Sequence, residues 1–106
     1  MARTVKRLSG PAQLTAAAAT LITAGATEKV EIRHIHVYNP GASVNLTMSI
    51  TADAASKRIF DAYPIPTGPY DHFGQYVLDP TEILQAFASV ASQLVVTING
   101  ISHTLG

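Results

Sequence analysis

The chain has 106 residues, with seven Lys and Arg balanced by seven Asp and Glu, and no cysteine. These figures set the scale at one domain with one core, exclude a disulfide framework and a thiolate metal site, and give no global pull towards nucleic acid or anionic membrane. Charged residues make up 13% of the chain, against roughly 25% in an ordinary soluble domain. Ala, Thr, Ser, Gly and Pro fill the deficit, so the surface is small, neutral and cheap to desolvate. Interface cores are depleted in charge for the same reason, and the composition predicts a chain packed into an assembly.

The opening MARTVKR carries Arg3, Lys6 and Arg7, three of the seven cations, with no acid before Glu28. Residues 1–11 read as an extended N-terminal arm, and residues 12–106 as the folded domain. The basic start and the following AAAATLI loosely imitate a secretory signal, but Gly10, Pro11, Gln13 and several Thr break the apolar run, so no cleaved leader is expected. No stretch approaches the ~20 apolar residues of a membrane span. TAAAAT alone has helix composition and predicts at most a helical turn, flanked by weak strands at 12–15 and 20–23.

From 28 to 38 the phase is mixed: Val30 and Ile32 share one face of a strand, Ile35 and Val37 the other. Either a bulge near Arg33 flips the strand, or both faces are covered. Pro40-Gly41 turns into 43–51, where Val44, Leu46, Met48 and Ile50 alternate with polar residues, and the two strands are expected to pair as a hairpin. TADAAS, with Asp53, reads as a short turn before a strand at 57–63. Pro64, Pro66 and Pro69 then predict a surface loop, with strands resuming at 74–78 and, past the Asp79-Pro80 turn, at 83–88. Leu94, Val96 and Ile98 point inward on a last strand that stops at Asn99-Gly100. Short strands between turns at this spacing predict an all-β fold, an antiparallel β-sandwich of jelly-roll type.

On a strand, His34 and His36 project from one face and could chelate a metal through their ring nitrogens, with Asp61, His72 or His103 as the third ligand. The nearest known arrangement is the cupin, whose first motif sets a Glu shortly after H-x-H. Here residues 37–41, VYNPG, hold none, and His72 comes one residue late after Pro66-Thr67-Gly68 for the second motif. Polar positions on a sheet surface are therefore the expected role of the pair, and neither metal nor cofactor is expected. No nucleophile elbow, phosphate loop or carboxylate pair is present, so no enzyme is predicted. Asp61, Asp71 and Asp79 read as turn and strand-end residues. Tyr63, Tyr70, Phe73 and Tyr76 gather around the proline segment and suit packing against a partner or stacking on a sugar; without basic neighbours they do not suit nucleic acid.

RHIHVYNP, then ADAASKRIFDAYPIP, then LDPTEILQAFASVASQLVVTINGI together resemble a group of small virion proteins of tailed bacteriophages. The shared pattern is R-x-I-x-V-x-N, an R-I-F-D strand, and a late G-E-x-I-x-A segment, in which Thr81 replaces the usual Gly. The resemblance implies a non-enzymatic β-sandwich on the particle exterior, made in the host cytoplasm. Its role would be capsid decoration (cement), or that of a minor tail protein. It also implies symmetric oligomers, trimers most often. The partners it implies are the major capsid protein or tail proteins; the arm lies outside the match, and its charge (Arg3, Lys6, Arg7) and the aromatic group (Tyr63, Tyr70, Phe73) are the expected contact points, with no nucleic acid or membrane.

Overall fold

The computed structural model describes residues 2–51 and 55–104 as eight strands and one short 3-10 turn. The strands are β1 (Ala2–Gln13), β2 (Ala19–Thr23), β3 (Glu28–Asn39), β4 (Val44–Ile50), β5 (Arg58–Ile65), β6 (Gly68–Leu78), β7 (Ile83–Ala88) and β8 (Val95–Thr104). They form two four-stranded antiparallel sheets, β1-β8-β3-β6 and β2-β7-β4-β5. The pairings β1 with β8, β2 with β7, β3 with β6 and β4 with β5 are those of one long hairpin folded over on itself. That is the jelly roll, and it is the class of fold expected from the strand spacing.

The core lies between the sheets. Ile32, Ile35, Val37, Val96 and Ile98 face it from the first sheet, and Leu46, Met48, Leu84 and Ala86 from the second. Each large apolar side chain so enclosed contributes about 1.5–3 kcal/mol. The mixed phase of β3 resolves into a bulge. Between Ile32 and His34 the register slips on both sides: against β8 Arg33 is the extra residue, and against β6 the extra residue lies on β6, at Gly74-Gln75, so the buried set of β3 continues in flipped phase.

Several expectations change, each for a physical reason. β3 and β4 do not form a hairpin, because the chain crosses from one sheet to the other between Asn39 and Val44. The proline segment is mostly strand: Pro64 pairs opposite Asn45 and Pro69 opposite Tyr38. Both sit on edge strands, where a missing N–H can face outward without breaking a ladder. Asn99-Gly100 does not turn. A Cβ at Gly100 would lie 2.0 Å from the Glu31 carbonyl oxygen, so the glycine admits the bulged β3 backbone rather than bending β8. TAAAAT forms a loop and the start of β2, not a helical turn, and Asp53 lies outside the described residues. The segment expected as an arm is extended, but it is laid along its own sandwich as the edge strand β1, from Ala2↔Thr104 to Gln13↔Val95.

A histidine and aspartate cluster on an open sheet face

The alternation that buries Ile35 and Val37 sends His34 and His36 to the outer face of the first sheet. The register with β6 sets Phe73 opposite His34 and Asp71 opposite His36, so Asp71 shares that face. The two imidazoles converge on one oxygen. His34 Nε2 lies 2.8 Å and His36 Nδ1 2.7 Å from Asp71 Oδ1. Asn99, opposite His34 on β8, brings its Nδ2 to 3.1 Å from His34 Nδ1, and the Phe73 ring stacks on His34 with centroids 4.6 Å apart. In the neutral state His34 therefore carries its proton on Nε2, donating to Asp71, and accepts from Asn99 on Nδ1. The His36 and His34 bonds hold the Asp71 carboxyl below the usual carboxylate range.

Asp71 is the third group that the sequence did not identify. Of the candidates that were named, Asp61 pairs with Arg58 at 2.7 Å on the other sheet. His72 points inward from β6, opposite Ile35, and meets the Tyr76 hydroxyl at 2.8 Å. His103 lies 3.6 Å from Glu31, which Arg33 also engages. Asp71 is not a turn residue, as its neighbours suggested, but stands mid-strand. The signal that could have found it is the i, i+2 pair facing an edge strand, and it becomes readable only once β6 is extended through the prolines. His34, His36 and Asp71 are the one trio among the described residues able to offer ligands to a single metal ion, their donor atoms all within 4.8 Å of one another. They face outward from an open sheet, so a substrate would find no walls around them, and a cupin-like reaction chamber is not formed by this pair.

The other candidate residues divide. By register, Arg3 and Arg7 lie on this same outer face, beside His103 and Asn99, while Lys6 falls on the opposite side, facing Glu28. Tyr63 and Tyr70 come together across the β5–β6 side of the sandwich, ring centroids 5.6 Å apart, with Phe60, His72 and Tyr76 continuing the aromatic row. The Tyr63 hydroxyl, with burial behind it, pushes the Tyr70 hydroxyl up to about 12. That row closes the open side between two edge strands. Phe73 is separate from it, on the His34 face, and is 73% exposed.

This outer face also carries most of the exposed large apolar side chains among the described residues. Val5, Tyr38, Phe73 and Val77 are four of the six large apolar or aromatic side chains that stand exposed among the described residues, and the register puts all four on it. Val5, Ile101, Glu31 and Val77 form one row across the sheet, and Asn99, His34 and Phe73 belong to the next. No family model, curated protein or solved structure matches this chain. Its reading therefore rests on the jelly roll and on this face.

Proposed function

We propose that the chain is a non-enzymatic structural protein of a tailed-bacteriophage particle, a capsid decoration (cement) protein that docks the outer face of its β1-β8-β3-β6 sheet on the major capsid lattice. The observation that carries this reading is the concentration of Val5, Tyr38, Phe73 and Val77 on one sheet face of a charge-poor jelly roll. Exposed apolar side chains gathered on one face, here set among polar residues such as Glu31 and His34, suit an interaction surface. The jelly roll is also a fold of viral shells, among other uses, and supports the reading only as an analogy.

A stable interface buries about 800 Å² per partner. Even a modest apolar share of that area gives several kcal/mol, at roughly 25 cal/mol per Å², against the cost of association. Trimeric assembly multiplies such contacts through avidity. Arg3 and Arg7, exposed on the β1 rim of the same face, suit acidic capsid surface. A minor tail protein with the same fold would use the face in the same way. Gold-labelled antibody against the chain, applied to intact particles, tests the proposal: label over the heads is expected. Label confined to the tails transfers the chain to the tail, and particles that stay unlabelled overturn the virion reading.

A further inference from the structure

We infer that His34, His36 and Asp71 form a binding site for one divalent first-row transition metal, best suited to zinc, on the outer face of the first sheet. The inference does not rest on the virion reading and concerns the free chain; docking of this face on a particle would cover the same three residues.

Convergence is the first ground. Surface histidines commonly take separate partners, yet here His34 Nε2 and His36 Nδ1 both aim at the single oxygen Asp71 Oδ1, 2.8 and 2.7 Å away. Moving each imidazole proton to the other ring nitrogen frees two lone pairs beside the Asp71 oxygen, with all three donor atoms within 4.8 Å of one another. Ligands about 2.05 Å from zinc are about 2.9 Å apart at a right angle and about 3.3 Å apart at the tetrahedral angle. The N–O separations of 2.8 and 2.7 Å are therefore near the right-angle value and need to open by about 0.5–0.6 Å for the tetrahedral one. Two imidazoles with one carboxylate is a recognised donor set for zinc and for iron-group ions, whereas magnesium and calcium prefer oxygen alone.

The second ground is the support behind the ligands. A metal-bound imidazole donates its other N–H to a fixed acceptor. With the metal on His34 Nε2, the proton moves to Nδ1, and Asn99 accepts it by turning its amide to present Oδ1 in place of Nδ2. Phe73 stacked on His34 holds the ring in the required plane. From His34 onward β3 and β6 run in step, which puts both histidines on the same face as Asp71. The remaining coordination positions face solvent, since the side chains of His34, His36 and Asp71 are 25%, 36% and 45% exposed, and water fills them. The ion would tie the edge strand β6 to the central strand β3.

The test is calorimetric titration of zinc chloride into the full, tag-free chain after chelator treatment. One zinc per chain with micromolar or tighter affinity is expected. Asp71→Asn and His36→Ala should each weaken binding at least about ten-fold, and Asn99→Ala about ten-fold through the lost support. His72→Ala and His103→Ala should leave it unchanged. In the native chain itself, zinc should shift the ring signals of His34 and His36 in the NMR spectrum and spare those of His72 and His103, a readout that needs no variant to fold. Absence of stoichiometric binding, binding that survives Asp71→Asn, or ring shifts centred on His72 or His103 would overturn the inference.

Discussion

The side-chain amide of Asn39, at the end of β3, donates to the main-chain carbonyl of Ile65, at the end of β5, over 2.9 Å, and so joins the two sheets where the chain crosses between them. The same Nδ2 reaches the Ala42 carbonyl, while Oδ1 accepts from the Gly41 N–H and from Gln93 Nε2. Asn39 is fully buried with its bonding capacity used, in contrast to the exposed residues beside it. Replacing it with Leu would leave buried donors and acceptors without partners, at about 1–3 kcal/mol for each one that water cannot reach. Asn39→Leu should lower the unfolding free energy by about 3 kcal/mol in urea titration, whereas Asn45→Ala, on the exposed side of β4, should stay within about 0.5 kcal/mol of the parent.

Thr81 occupies a left-handed backbone conformation, φ +72°, two residues after Asp79 in a turn closed by the Glu82 N–H on the Asp79 carbonyl at 3.0 Å. With Pro80 ahead of it, this fits a type II turn, whose third position favours glycine. A β-branched residue there is strained. Thr81→Gly should therefore stabilise the fold by about 1 kcal/mol, read as a higher urea midpoint with an unchanged slope. A lower midpoint would mean the turn is not left-handed at this position.

Glu28 accepts a hydrogen bond from the Ser102 hydroxyl and another from the Gly25 N–H, and these hold its carboxyl below the usual value. A group depressed in the folded state contributes stability above its ordinary value of 4.5 and loses it as pH falls through the folded value. Acidification should thus destabilise the parent chain progressively below the ordinary carboxylate range. Glu28→Gln should be less stable than the parent near neutrality and should lose less on acidification. Thermal melts at about pH 7 and about pH 3 check both halves, and parallel acid limbs for parent and variant would remove Glu28 from the explanation.

β1 runs the length of β8, with Leu8 packed against the core and Val5 opposite Ile101. Deleting residues 2–10 should lower stability by about 3 kcal/mol or more and leave the β8 edge bare, so that the truncated chain associates. Size-exclusion chromatography alongside a thermal melt reads both effects. A monomer as stable as the parent would mean that β1 is a dispensable arm.

Legibility in the sequence followed the range of the forces involved. Period-two alternation located the buried faces of β4 and of β8 with its approach, because Val44, Leu46, Met48, Leu94, Val96 and Ile98 need only their own segment to reveal them. The flip between Ile32 and Ile35 left a bulge or a doubly covered strand open, and the register shows the bulge. What depends on partner strands was hidden. Pro64 and Pro69 looked like loop residues because edge position is a property of the sheet, not of the local sequence. That misreading placed Asp71 in a loop and kept it from His34 and His36. Asn39 and Gly100 were likewise silent, since the crossing between sheets and the close approach of Glu31 exist only in three dimensions.

Docking as proposed leaves the outer face of the β1-β8-β3-β6 sheet covered by another polypeptide in the assembled particle. Hydroxyl-radical footprinting of the isolated chain and of intact particles measures this at Val5, Tyr38, Phe73 and Val77. Strong labelling in isolation and protection of all four on the particle is the expected result, with Val90, which is exposed elsewhere on the fold, as reference. Equal labelling of Phe73 and Val77 in both states would contradict it.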